Sequence, residues 1–369
     1  MNLVPRPISF FAFALAVVAA SCGGGSSDSL TSDDVASVDI GNVSTPPSSV
    51  APTTSAAPIE DGPKATFTGQ GTNEELSAQP AVVVKVSNND QRSRSALVGI
   101  EHADIVLEER IEDRATRFAA IFHSDLPELV GPVRSARTTD LDLLANLGNP
   151  ALVFSGANIA VLRELRDFAA DGLAVLVVND DSETYHYRDL DFRAPDNLFT
   201  NPSLVLQDFR DSAGAATPIL SFRDAESDTR PASVEGPGVT VEGRDTVNFV
   251  FDPARGYVRV QDGEVHATRD GHDLVVTNVV LMDVEYLANA DDPLSVDAVT
   301  VGSGPASVLI GGRRWSGTWE RVARSDPYTF RTDGGAEILL EPGQSWLTMV
   351  PSGSYEFSVS AEISSLVLN

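Results

Sequence analysis

The chain has 369 residues, a formal net charge of −27 and an apolar fraction of 42%. That is enough for about two domains with an ordinary core. So acidic a protein lacks the broad basic face that a phosphate backbone requires, which argues against nucleic acid as a partner. A single cysteine, Cys22, rules out an internal disulfide, and Lys64 and Lys85 are the only lysines.

Residues 1–21 read as a lipoprotein signal peptide. Arg6 gives a small positive start, and Ile8 to Ala20 form an apolar core too short to span a bilayer. The run Val18-Ala19-Ala20-Ser21-Cys22 has the form of a bacterial lipobox. Cleavage before Cys22 and its diacylation, palmitate being the usual chain, would hold the mature protein outside the cytoplasmic membrane as its membrane anchor. Residues 22–79 are rich in Gly, Ser, Thr, Pro and Asp with few large apolar side chains, so they read as a disordered tether.

From residue 80 to 215 the pattern predicts a mixed α/β domain. Ala81 to Asn88 is a near-continuous apolar strand interrupted by Lys85, which must pair or lose its charge if buried. Strands are predicted over Ala103–Glu109 and Arg117–Ser124, joined by the charged turn Arg110–Thr116. Next comes Gly131-Pro132-Val133-Arg134-Ser135-Ala136-Arg137-Thr138-Thr139-Asp140, two arginines, three hydroxyls and a carboxylate delivered by a Gly-Pro turn. Thr138 to Asp140 resemble a helix N-cap, and an arginine fork suits carboxylate or phosphate. A helix over 140–147, a strand over 151–156, a helix over 159–170 and a strand over 173–178 follow. A polar loop spans 179–200, and Asn201-Pro202 start another helix, with residues 204–245 running into a linker. Residues 216–369 then read as linker and β-rich domain, with Asp262-Gly263 and Gly311-Gly312 placed as two-residue hairpin turns. The fold class predicted is α+β.

These motifs together resemble the YerB-like bacterial lipoproteins, the DUF3048 family of unassigned function, with an N-terminal and a C-terminal domain. The resemblance rests on Val84-Lys85-Val86-Ser87-Asn88, Arg92, Ala103 to Glu109, Thr116-Arg117-Phe118, Gly131 to Arg137, Ser155-Gly156, Tyr187-Arg188-Asp189 and Ala194 to Leu198. In the second half it rests on Gly263 to His266, Asn278-Val279-Val280, Gly317-Thr318-Trp319 and Pro342 to Trp346. Ser87 stands where the family tends to have Asp, and Asp196 where it tends to have His. The family implies an architecture and an envelope address but no activity.

Polar residues at strand ends and in loops define the expected site: Lys85, Asn88, Arg92, Arg117, Arg134, Ser135, Arg137, Ser155, Arg188 and Asn197 for an anionic envelope ligand, such as a cell-wall polymer. An envelope protein is the alternative partner. Glu108 and Glu109 are adjacent in a strand and must point to opposite faces, so Glu109 with Asp140 is the expected carboxylate pair for a glycosidase-like hydrolase. Nucleophilic hydrolysis lacks support: Thr138 stands where Ser135 would need a lysine, and Val153 breaks the glycine elbow around Ser155. The histidines are scattered, and Asp180-Asp181 and Asp291-Asp292 lack the alternation of a calcium loop, so no metal or cofactor is expected.

Overall fold

A computed structural model describes residues 62–179, 184–224, 230–289 and 295–368. The signal segment, Cys22, Asp180-Asp181 and Asp291-Asp292 lie outside the described residues. Ala57–Asn369 form one compact unit. Its first half runs α1 (Glu74–Ala78), β1 (Val82–Asn88), α2 (Gln91–Ser95), β2 (Ile105–Arg110), β3 (Thr116–Phe122), α3 (Thr139–Leu144) and β4 (Ala151–Phe154). It continues with α4 (Ile159–Ala170), β5 (Val175–Val178), the hairpin β6 (His186–Arg188) and β7 (Leu198–Thr200), and α5 (Pro202–Phe209). The second half runs β8 (Val234–Glu235), β9 (Gly238–Glu242), β10 (Thr246–Asp252), β11 (Gly256–Gln261), β12 (Glu264–Val265), β13 (Val275–Val276) and β14 (Asn278–Asp283). It ends with β15 (Tyr286–Ala288), β16 (Val296–Ala298), β17 (Gly302–Ile310), β18 (Arg313–Arg321), β19 (Thr329–Thr332), β20 (Ser345–Val350), β21 (Tyr355–Glu356) and α6 (Ala361–Leu368). Few helices and many strands make this an α+β fold.

One large sheet crosses both halves in the order β19-β18-β17-β14-β20-β2-β3-β1-β4-β5, with β8 added against β18. The join is β20, parallel to β14 on one side and to β2 on the other, with Leu347 opposite both Val280 and Leu107. Both sheet faces are covered around that join, which is why every residue of β1 and β20 is buried and neither strand alternates between apolar and polar positions. One face takes Val83, Leu107, Ile121, Leu152 and Leu347 under Leu143 and Leu144 of α3 and Leu165 of α4. The other takes Val84, Val106, Phe118, Leu281 and Trp346 against Val239, Val241, Phe249 and Tyr257 of a second sheet. That sheet is ordered β12-β11-β10-β9-β21, with β13 on β11. Its outer face packs Val250, Val258 and Val260 on Ile363 and Val367 of α6.

Residues 62–79, predicted as part of the tether over 22–79, are folded onto the rest of the protein. Phe67 is fully buried, edge-on to the ring of His123, and Gln79 bonds the His123 carbonyl. Ala65, Thr68 and Gln79 are buried with it, and Asn73 caps α1, so a segment of polar composition is fixed by a few well-placed contacts. The helix expected from Asn201-Pro202 forms as α5, capped by Asn201, whereas the stretch expected as linker carries β8 and β9 and buries Ile219 and Leu220 in the core. The 179–200 loop contains the β6–β7 hairpin, whose strands of three residues are too short to show a period. Both predicted hairpin turns form: Asp262 and Gly263 have φ of 52° and 81°, and Gly311 and Gly312 have 56° and 72°.

Candidate functional site

Strands β1 and β4 pair only as far as Val84 and Val153. Beyond that point the Gly131–Ala136 segment occupies the gap between them. Ser87 N donates to Pro132 O at 2.9 Å and Arg134 N to Lys85 O at 2.8 Å, while Ser155 N donates to Arg134 O and Ala136 N to Gly156 O. Gly131 is required by close approach, because a Cβ there would lie 2.6 Å from the Phe199 ring. The arginines that this strap carries are internally paired. Arg134 Nη1 donates to Asp196 Oδ1 at 2.8 Å, and the same oxygen accepts from Ser87 Oγ at 3.2 Å. The two positions that depart from the family pattern, 87 and 196, are therefore in contact. Arg137 grips Glu112 with a two-pronged fork at 2.8 and 2.7 Å. Burial opposes the ionisation of Glu112, but hydrogen bonds from Arg137 and Ser295 hold its carboxyl down to about 2.

Beneath the strap, Lys85 Nζ lies 2.6 Å from both Glu109 Oε1 and Asp140 Oδ1, and all three side chains are 0% exposed. Asp140 Oδ2 accepts from Arg137 N; Thr138 makes no capping bond and gives its hydroxyl to Asp297 at 2.6 Å. Burial pushes the Glu109 carboxyl up; the Lys85 ammonium opposes this and Asp140 adds to it. Opposite Glu109 on β3, Arg117 is also buried, bonded to Ser135 O and Asn89 Oδ1. Burial, then the charges of Arg137 and Arg134, bring its guanidinium down to about 9. In place of two carboxylates facing each other across a groove, Glu109 and Asp140 clamp one ammonium. A sugar ring has no room between them, and neither carboxylate reaches solvent.

The remaining predicted residues do not gather here. Asn88 points to the opposite face and bonds Thr116. Arg92 is 69% exposed on α2 and pairs with Asp90. Arg188 bonds Asn197 at 2.9 Å within the β6–β7 region, and Ser155 enters through its backbone. Among the described residues no group of His, Cys, Asp and Glu is arranged to hold a metal.

Glu108 faces the second sheet. Its carboxylate accepts from Arg259 Nη2 at 2.9 Å, Thr116 Oγ1 at 2.8 Å and Trp346 Nε1 at 2.8 Å. Arg259 also donates to Gln261 Oε1 and to His266 Nδ1. A guanidinium only donates, so Nδ1 of His266 accepts and its proton sits on Nε2.

Beside this network, between the large sheet and the second sheet, lies a cavity of about 260 Å³. Glu108, Arg110, Thr116, Thr348 and Val350 come from the large sheet, and Val241, Val247 and Gln261 from the second. Arg114, Glu242, Arg244 and Asp245 also line it; the turn at Arg114 and the turn at Arg244 meet through a backbone hydrogen bond. Glu242 is exposed and makes no ion pair among the described residues, but the other acids of this lining are compensated: Glu108 by Arg259, and Asp245 by Arg94 at 2.8 Å and by Gln261. The arginines are not. Among the described residues Arg110, Arg114 and Arg244 make no ion pair, and Nε of Arg110 and Oγ1 of Thr348 are buried without a hydrogen-bond partner. None of these three arginines stands out in the sequence. Arg110 and Arg114 read as turn residues, and nothing local ties them to Arg244.

Two family models match the chain, the N-terminal domain of the DUF3048 proteins of unknown function over residues 67–215 and their C-terminal domain over 238–347. The protein of Bacillus subtilis (strain 168) that bears the name "Putative lipoprotein YerB" is 27% identical over 300 residues, covering 78% of this chain and 86% of that one. The crystal structure of the Bacillus subtilis YerB protein superposes with a TM-score of 0.68 at 24% identity, covering 79% of this chain and 98% of that one, and so shares the fold. No described helix is long and apolar enough to cross a membrane. With both domain models matched in order, the chain belongs to the DUF3048 family of YerB-like proteins.

Proposed function

We propose that this protein is a lipid-anchored, extracytoplasmic binding protein that holds an anionic envelope ligand in the cavity between its two sheets. One observation carries the reading. Arg110, Arg114 and Arg244 border a cavity without a carboxylate partner, whereas Arg134 and Arg137 are each consumed by an acid of the protein itself. A cluster of unpaired guanidiniums in a chain of net charge −27 favours an anionic guest. Of the carboxylates that line the cavity, Glu108 and Asp245 are each paired with an arginine, which favours binding over carboxylate chemistry there.

The test uses the compact unit from Ala57 onward, incubated with small molecules extracted from bacterial envelopes, desalted, and analysed by mass spectrometry of what it releases. A negatively charged species retained by the unaltered protein and reduced at least tenfold with Arg110→Met is the expected result. Equal retention by both proteins, or none by either, would remove the reading. The anchor is tested separately. Cys22→Ser is expected to move the protein from the membrane fraction to the soluble fraction, and a variant still sedimenting with membranes would show that Cys22 does not tether it.

A further inference from the structure

Resting on that reading of the cavity, we infer the class of its ligand: a single-chain amphiphile whose hydrocarbon tail lies between the two sheets and whose anionic headgroup stays at the mouth beside Arg114 and Arg244. Strand register identifies the mouth. Arg110 and Thr116 are the last pair of β2 and β3, and the turn beyond them carries Arg114. Glu242 and Thr246 are the last pair of β9 and β10, and the turn beyond them carries Arg244. Arg244 N donates to Arg114 O, and Glu242 N donates to the carbonyl of Ser354, just past the end of β20. Both turns and the end of β20 therefore meet at one end of the cavity. Of the lining residues, the exposed ones are Arg114, Glu242 and Arg244, so the cavity opens to solvent there. Glu108 and Thr348 face each other deeper in the sheet.

The interior offers hydrocarbon. Glu108 accepts from Arg259, Thr116 and Trp346, and Gln261 accepts from Arg259 and donates to Asp245, so these polar side chains are turned into the protein. Nε of Arg110 and Oγ1 of Thr348 lack partners but expose almost no surface, so a guest does not reach them. Ala115, Val241, Val247, Met349 and Val350 supply the apolar wall. An anion drawn fully inside would lose its water without gaining donors, which is strongly unfavourable, whereas an alkyl chain gains by leaving water. The charge is favoured at the mouth. There Arg114 and Arg244 have no ion pair, and with the single acid Glu242 they leave the opening net positive.

Size limits the tail. An apolar cavity of about 150 Å³ accommodates benzene with its six carbons, so by proportion about 260 Å³ takes roughly ten non-hydrogen atoms. That is one unbranched chain and not two.

Calorimetric titration of the unit from Ala57 onward tests this, using butanoate, octanoate, decanoate and tetradecanoate, then decanol, acetate and inorganic phosphate. Affinity for the acids is expected to rise about three- to fourfold per methylene. It should level off beyond roughly ten carbons, where the tail outgrows the cavity. Decanoate is expected to bind about three- to tenfold more tightly than decanol, the range of two exposed ion pairs. Arg114→Ser/Arg244→Ser, on exposed turns, should abolish that preference. Decyl phosphate supplies the second headgroup: tighter binding than decanoate assigns a phosphate-bearing lipid fragment, weaker binding a free fatty acid, and either supports the inference. Affinity that climbs on to tetradecanoate without levelling overturns it, because the tail then lies outside this cavity. A preference that survives the double substitution overturns the placement of the headgroup. Acetate or phosphate bound as tightly as decanoate overturns the amphiphile and leaves the anion reading standing. Decanol bound as tightly as decanoate, or no binding of any probe, overturns both.

Discussion

Lys85→Met is expected to destabilise the protein by about 3–5 kcal/mol at neutral pH, the range found when one member of a buried ion cluster is removed. The substitution keeps the length of the side chain and deletes only the ammonium. Glu109 and Asp140 would then face each other, fully buried, with no cation 2.6 Å away from either. Arg117, opposite Glu109 in the sheet, softens the loss but already serves Ser135 and Asn89. The pH dependence identifies the cause. Burial raises the folded-state carboxyl of Glu109 above its ordinary 4.5, Lys85 works against that rise, and the variant removes the opposition. An acid whose folded pKa lies above its unfolded value contributes stability that is complete below the unfolded pKa and is lost as pH rises through the folded one. The variant should therefore come closest to the parent near pH 4.5–5 and fall behind as pH approaches 7.5. Urea unfolding at both ends of that window measures this, with Lys85→Met/Glu109→Gln expected to recover part of the deficit. A deficit below about 1 kcal/mol, or one independent of pH, would falsify the ion-cluster account.

The same residues show what a sequence can and cannot disclose. That Glu108 and Glu109 face opposite ways follows from the two-residue period of a strand, and the structure sends one to the α3 side and the other to the second sheet. The need of Lys85 for a partner follows from its place in an apolar run. The identity of that partner does not, because Asp140 lies 55 residues away and Glu109 is 24 away on a strand two positions over. For the same reason the sequence leaves open whether the arginines of the Gly-Pro-Val-Arg-Ser-Ala-Arg segment pair with the protein's own acids or hold a ligand. Their acids, Asp196 and Glu112, are 62 and 25 residues distant and sit in loops that no periodicity positions.

The large sheet was legible strand by strand but not as one sheet. Ser345 to Val350 reads as a strand from its apolar content; that it inserts parallel between β14 and β2 depends on pairings across some 240 residues of chain. The cavity is a product of that insertion. Thr348 and Val350 arrive on β20, Arg110 on β2, and Val241 and Val247 on the second sheet, so no local run of sequence contains the site. Long-range closure of this kind fixes where polar groups meet, and the meeting rather than the composition separates Arg110 from Arg134.

Arg259→Leu is the second large effect, at about 3–5 kcal/mol near pH 7.5, and it acts on the seam between the two sheets. Arg259 is 1% exposed, pairs with Glu108 at 2.9 Å and lies 5.1–5.9 Å from the ring centres of Trp346, Phe118 and Phe249. Leucine replaces much of the contact with those rings but leaves Glu108 with only neutral donors, Trp346 Nε1 and Thr116 Oγ1. His266 supplies the diagnostic. Burial, then the charge of Arg259, hold its imidazole well below the ordinary 6.5. In the parent protein the unfolded chain gains a proton below that value and the folded one does not, so His266 withdraws stability as pH falls through 6.5. In the variant the repelling guanidinium is gone and the charge on Glu108 is uncompensated, so His266 is expected to titrate at higher pH and to restore a cation to the seam. The deficit should shrink between pH 7.5 and 5.5 in urea unfolding, alongside a His266 ring resonance that shifts over that interval only in the variant. A deficit that widens on acidification would mean that Arg259 stabilises through packing on its aromatic neighbours and that the charge of Glu108 is already satisfied by its hydrogen bonds. Gln261 and Glu108 line the cavity and touch Arg259, so, if the cavity binds the anion proposed above, the same variant is expected to weaken that binding even though Arg259 does not itself line the cavity.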